Sequence, residues 1–328
     1  MLAILMILLH HCSLRQTFPI LTSQSSWLDI FLGRFYMTFG EVGVFLFVMI
    51  SGYFAKEASR TWAIRQNWKV LSEVLFYSVA LMIVFFLIDF QKFFTIKNFI
   101  KSIFPFLTNQ YWFVTAFVIL TFFSPFLYKL LNSLKQSDFV CLLILLAIFG
   151  AFFISIDNFS FTNQTQIGWI IFPYCFGVYI KKFKLNITHP FIFLFLTLFL
   201  DYAITISLSY FAHNPKKGMA GLQVNGLFPL ILSILIFYIF LNLKPFKKSW
   251  INKIASTVFA GYLVQSNLFV YSVWKYITYT SSNILKTNII IIFYVCIFML
   301  IVFLIDMGRQ WIFKKLNIID FINKFLKN

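Results

Sequence analysis

The chain has 328 residues, 61% hydrophobic and only 11% charged, and its 27 Lys and Arg against 10 Asp and Glu give a formal net charge of +17. So high an apolar share with so few charges excludes an ordinary soluble domain. Apolar stretches near helix-spanning length recur throughout and predict an all-α, polytopic transmembrane helical bundle, since barrel strands would be about half as long and would alternate.

About ten helices are expected, at 1–12, 37–55, 70–90, 110–131, 138–156, 167–180, 190–211, 225–243, 254–274 and 287–306. From Met1 to His11 the first would rise about 16 Å at 1.5 Å per residue, roughly half the hydrocarbon core. A signal peptide needs a positive n-region and a small-residue cleavage site, and MLAILMILLHHCSLRQ lacks the first and offers a poor second. The expectation is a first helix truncated at its start, with a short re-entrant segment as the alternative.

His10 and His11 would then lie near the outer end of that helix. Ionisable groups at membrane depth commonly face the bundle interior or a wet cavity, and an imidazole can take and give a proton near neutral pH. A histidine pair that simply meets water at a helix end is the competing reading. Arg34 and Glu41 precede and open the second stretch. Glu41 could orient an imidazole, and Arg34 could pair with it or meet an acidic substrate; solvated loop charges are the alternative. Ser51 and Gly52 suit close helix packing. Tyr111 and Trp112 suit an interfacial aromatic belt.

The sixth stretch is short, and Pro173 inside it predicts a kinked or partly re-entrant helix. Asp201 lies well inside the seventh, where a carboxylate must be paired or face a cavity. Asp306 and Arg309 are spaced for an i, i+3 pair. Cys12, Cys141, Cys175 and Cys296 show neither metal-type nor disulfide-type spacing, and no metal site is expected. The end, WIFKKLNIIDFINKFLKN, reads as an amphipathic interfacial helix, which divides the chain into a bundle over 1–306 and a cytoplasmic helix over 307–328.

The basic residues alternate by loop. Two thirds of the 27 fall in one set: Lys56, Arg60, Arg65, Lys69, Lys129, Lys135, Lys181, Lys182, Lys184, Lys244, Lys247, Lys248, Lys253, Arg309, Lys314, Lys315, Lys324 and Lys327. The positive-inside rule places that set, and both termini, in the cytoplasm of a multi-pass cell-membrane protein. The positive charge thus reports topology and a lipid bilayer partner, not nucleic acid.

GEVGVFLFVMISGYF (Gly40 to Phe54) and NQYWFVTAFVILTFFSPFL (Asn109 to Leu127) resemble signatures of the acyltransferase family 3 integral membrane proteins. FGVYIKK (Phe176 to Lys182), STVFAGYLVQSN (Ser256 to Asn267) and LIDMGRQWIF (Leu304 to Phe313) are similar to further segments of that family, in the same order. The resemblance implies transfer of an acyl group, most often acetyl, to a hydroxyl of a cell-surface glycan or lipid-linked saccharide, with acetyl-CoA or another acyl-CoA as donor. The family's hallmark is an arginine, ten residues and a histidine on one helix face. If His11 is that histidine, its arginine would fall immediately before Met1; His10 is the substitute. Chemically, His11 would be the general base.

By the same resemblance Arg60, Arg65 and Lys69 would meet the donor phosphates, although "RQNWK" departs from a simple Arg-x-x-Arg pair and positive-inside topology alone would supply those charges. Gln265 stands where many relatives have histidine, and it can hydrogen-bond but not titrate. Trp112 could stack on a sugar ring. A transporter or glycolipid flippase without acyl chemistry, and an inactive truncated relative, are the alternatives from other classes.

Overall fold

A computed structural model describes residues 1–22, 24–149, 166–214, 226–244, 248–271 and 284–318, and among these residues it holds thirteen helices and no strand. In chain order they are α1 (Leu2–Ile20), α2 (Trp27–Tyr53), α3 (Arg60–Ile88), α4 (Phe90–Phe93), α5 (Ile96–Ile103), α6 (Trp112–Ser133) and α7 (Gln136–Ala147). There follow α8 (Gln166–Phe183), α9 (Pro190–Phe211), α10 (Leu227–Leu241), α11 (Ser249–Ala255), α12 (Val258–Gln265) and α13 (Ile284–Lys315). Helix is present at each of the ten expected stretches. Five helices, α2, α3, α6, α9 and most of α13, are long and apolar enough to cross a membrane; shorter apolar helices cover Leu2–Leu14, Gln136–Ala147 and Leu227–Leu241.

Several helices outrun their apolar stretches. α1 continues past the histidines to Ile20, so His10 and His11 sit mid-helix and not near its outer end. α2 starts at Trp27 because Ser26 and Asp29 close a capping box, each side chain accepting from the other's backbone N–H. Ten residues read as loop are therefore helical, Arg34 among them. α3 starts at Arg60, where the Ser59 hydroxyl accepts from the Trp62 N–H, and so carries Arg60, Arg65 and Lys69 on its first turns. α8 is helical from Gln166 to Phe183 with Pro173 inside it, so the expected partly re-entrant break does not occur there. The expected boundary between 306 and 307 falls inside α13; residues 319–328, and with them Lys324 and Lys327, lie outside the described residues, as do Lys216, Lys217, Lys247 and Lys275.

The ninth stretch is broken. Ser256 and Thr257 turn their hydroxyls back onto the Lys253 and Ile254 carbonyls between α11 and α12, and the Asn267 side chain accepts from the Phe269 N–H just beyond α12. Such local side-chain bonds compete with the helical ladder, and a break at membrane depth is tolerated where neighbours satisfy it. Here Asn267 is fully buried and its amide also donates to the Tyr111 hydroxyl at 2.9 Å.

α2 is the central helix, packed against α1, α8, α9, α10 and α13. Glycines set its two closest approaches. A Cβ at Gly52 would overlap the Tyr174 carbonyl of α8, and one at Gly177 would overlap the Met49 carbonyl of α2. A Cβ at Gly40 would overlap the His10 ring, and one at Gly43 the Ala3 carbonyl of α1. Without a hydrophobic driving force between helices in lipid, such close backbone packing supplies the association energy. The Gly52 expectation from sequence holds, and Ser51 bonds back to the Phe47 carbonyl.

Helix ends from the larger basic set meet at one end of the bundle. Lys182 Nζ donates to the Asn132 and Leu134 carbonyls at 2.6 and 2.7 Å, and Lys181 Nζ to the Ala55 carbonyl at 3.1 Å. A cation at the last carbonyls of a helix satisfies its orphan acceptors and its dipole. These lysines join the ends of α2, α6 and α8 at what is termed below the basic end.

Candidate functional site

Adjacent residues on a helix point about 100° apart, so α1 turns its two histidines toward different neighbours. His10 is buried, with Nδ1 3.0 Å from the Met37 carbonyl of α2 and its ring against Gly40. The acceptor there is a carbonyl, so Nδ1 carries the proton. His10 therefore serves as a packing contact between α1 and α2.

His11 faces α12. Its Nδ1 lies 3.2 Å from Gln265 Oε1, while Gln265 Nε2 donates to the Leu8 carbonyl at 3.1 Å and to Cys12 Sγ at 3.3 Å. The Leu8 carbonyl can only accept, which fixes the amide with nitrogen toward α1's backbone and oxygen toward the imidazole. Gln265 thereby holds the proton on His11 Nδ1, and a neutral imidazole so held has its basic lone pair on Nε2. Gln265, expected as a substrate-binding position and as a departure that loses a titrating group, emerges as the clasp that sets the tautomer of His11.

A cavity of about 580 Å³ is lined by His11, Leu14, Gln110, Trp112, Tyr262, Ser266 and Tyr271, at the end of α6 and α12 remote from the basic end. Gln110 interacts with the Tyr111 hydroxyl and Ser266 with that of Tyr262, but neither contact is a well-formed hydrogen bond. Buried polar atoms are normally well satisfied, and weakly held ones lining a cavity beside an oriented imidazole are suited to a polar ligand. Trp112 borders this same space. Gln110 and Ser266 escape sequence reasoning because polar residues at helix ends are ordinary; what singles them out is their place on the wall of the His11 cavity.

The other expected site residues are distributed differently. Arg34 is fully buried on α2 and pairs with Asp201 of α9, Nη2 to Oδ1 at 2.8 Å and Nε to Oδ2 at 3.4 Å, with the Thr38 hydroxyl donating to Oδ2 at 3.0 Å. Arg34 is thus neither a solvated loop charge nor a partner of Glu41, and it does not line the His11 cavity. Asp201 has the partner its depth demands. Glu41, expected to orient an imidazole, makes no hydrogen bond to either histidine among the described residues, and its Oε2 is buried without a partner.

At the basic end, a cavity of about 250 Å³ lies among α2, α3, α6 and α8, lined by Ser51, Phe54, Lys56, Trp62, Gln66, Phe117, Thr121 and Tyr174 among others. A second, of about 480 Å³, is lined by Lys69, Glu73, Arg309, Gln310 and Lys314 with Ser256, Phe313 and Asn317. Of the three cations expected at the donor, Lys69 borders this second cavity; Arg60 and Arg65 are exposed on α3, Arg60 over the Phe126 ring. Asp306 and Arg309 pair as expected, and Tyr77, Glu73 and Gln310 join them in one buried network. No group of three or more metal-ligating side chains occurs among the described residues.

Gln265→Leu keeps size but removes the clasp, and any reaction in which His11 Nε2 takes a proton is expected to slow about tenfold, the worth of one hydrogen bond. The check is the initial rate at saturating substrate. Gln265→Glu, which still accepts from Nδ1, should retain more activity than Gln265→Leu.

A family model described as an acyltransferase domain matches residues 1–307. No curated protein and no solved structure matches the chain.

Proposed function

Because the chain belongs to acyltransferase family 3 and is a helical membrane protein, we propose that it is an O-acyltransferase that moves an acyl group, acetyl foremost, from acyl-CoA to a hydroxyl of a cell-surface glycan or lipid-linked saccharide. The single observation that carries this reading is the His11–Gln265 pair: an imidazole with its tautomer held, on a cavity that Gln110 and Ser266 also line. A flippase or transporter that moves no proton has no use for an imidazole held in one tautomer. A base that must receive a proton at one nitrogen does.

The basic end is cytoplasmic on this reading, as the positive-inside rule requires, and the donor arrives there. Lys56 and Lys69 each border a cavity at that end and suit the charges of a coenzyme A thioester. The acceptor arrives from the opposite face. In the His11 cavity, Trp112 would stack on the sugar ring, and Gln110 and Ser266 would hold its hydroxyl groups.

The reacting hydroxyl gives its proton to His11 Nε2 as its oxygen attacks the thioester carbonyl. The C–S bond then breaks, the ester remains on the glycan, and the departing thiolate of coenzyme A takes the proton from the imidazolium. The bundle's contribution is to hold the two substrates in reacting position and to keep water from the thioester.

The test is base-labile acetate on surface glycan from cells with and without this gene at its native locus. Loss of ester on deletion, restored by the native gene and not by a His11→Ala copy made in equal amount, supports the reading. Ester unchanged on deletion, with a glycolipid or solute that stays on one side of the membrane, would point to transport.

A further inference from the structure

α6 borders both the cavity of about 250 Å³ at the basic end and the His11 cavity. Going outward, Thr121 and Phe117 line the first cavity and Trp112 the second, and Phe113 stands one turn beyond Phe117 between them. The Phe113 ring is stacked on Phe117 with centroids 5.8 Å apart and meets Tyr262, a wall of the His11 cavity, edge-on at 5.9 Å. Phe47 of α2 closes the cluster from the side, 5.6 Å from Phe113 and 5.7 Å from Phe117. Phe113 is 3% exposed. One aromatic side chain therefore touches a wall residue of each cavity.

We propose that Phe113, backed by Phe47, is the partition between the donor and acceptor chambers, and that it determines which acyl groups reach His11. This rests on the acyltransferase reading for the identity of what passes, but not for the existence of the barrier. In the structure as it stands, the Phe113 ring lies between Phe117, a wall of the chamber at the basic end, and Tyr262, a wall of the His11 cavity. Reaction requires the ring to swing, and the space released is that of one aromatic side chain. A two-carbon acyl group fits such an opening; each further methylene must displace Phe47 or Tyr262, both held by their own ring contacts. In the closed position the ring separates the donor thioester from water that enters the acceptor chamber.

Two measurements test this, one independent of catalysis. In a background with all four native cysteines replaced, Thr121→Cys and Ser266→Cys are expected to react with a membrane-impermeant thiol reagent from opposite faces of oriented vesicles, and Phe113→Cys from both. Val114→Cys, buried beside it, should react from neither. Reaction of Phe113→Cys from a single face would overturn the partition. In purified protein, Phe113→Ala is expected to raise the ratio of butyryl to acetyl transfer about tenfold or more, the discrimination that a pocket contact of this size can supply. The same variant should hydrolyse acetyl-CoA to acetate and free coenzyme A when no glycan is present.

If Phe113→Ala does not fold, Phe113→Leu serves, with a smaller rise, and Phe47→Ala gives the same direction; an unchanged ratio in the folded variant would overturn the selective role. Labelling of Phe113→Cys from both faces in a protein that transfers no acyl group would sustain the partition and overturn only the reading of the reaction.

Discussion

His11→Ala is expected to lower acyl transfer by about 10²–10⁴-fold, the usual contribution of a positioned general base, with donor KM little changed. The neighbouring His10→Ala tests whether that loss belongs to chemistry. His10 bonds the Met37 carbonyl and fills the notch at Gly40, so its removal loosens α1 from α2 but takes nothing from the His11 cavity. The two substitutions should separate: His11→Ala gives normal amounts of a stable, inactive protein, and His10→Ala gives less protein with most of its activity per molecule. His11→Gln, which can still bond Gln265 but has no basic nitrogen, should be as inactive as His11→Ala. Activity retained by His11→Ala would remove the imidazole from the reaction.

Asp201→Ala is expected to cost about 3–5 kcal/mol of stability, because it leaves the Arg34 guanidinium in the interior without its carboxylate. Thr38 loses its acceptor in the same step. The measurement is thermal unfolding in detergent, with the amount of folded protein in the membrane as a second readout. Breaking a buried pair from one side is far more damaging than removing both charges, so the double variant Arg34→Met with Asp201→Leu should recover much of the loss. Recovery in the double variant, together with near-normal transfer, would show that the pair joins α2 to α9 and takes no part in the chemistry. If Asp201→Asn kept full stability but lost activity, the pair would belong to the site instead.

The bundle could be read from the sequence because each span is a run of apolar residues, and that signal survives without tertiary information. Span ends were less visible for a physical reason. Apolar runs mark where a helix meets lipid or core, whereas helix starts are set by capping side chains. Ser26 and Asp29 stand in the sequence at capping-box spacing and mark the true start of α2, ten residues before its apolar run. Counting from the apolar run left Arg34 in a loop, when its helical register points it at Asp201.

The site was half legible. His10 and His11 stood out as imidazoles in an apolar segment, but one sequence gives no reason to prefer either; the preference comes from the turn of about 100° between them, which sends one to a glycine notch and the other to a cavity. Gln265 was visible only as a non-titrating residue in place of a histidine. Its role depends on the break after α11, on the short α12, and on a Leu8 carbonyl from the other end of the chain, none of which a residue type encodes. Gln110, Ser266 and Phe113 carry no local signal, since their place is set by which cavity they line and which rings they touch.

The most direct measurement is the stoichiometry of the reaction in the purified protein reconstituted in liposomes, with acetyl-CoA labelled in its acetyl group and a hydroxyl-bearing glycan acceptor. The account predicts free coenzyme A thiol and labelled glycan ester in equal amounts, both dependent on acceptor and both lost in His11→Ala. Thiol release that ignores both the acceptor and His11, or movement of glycan across the bilayer with no ester formed, would contradict it.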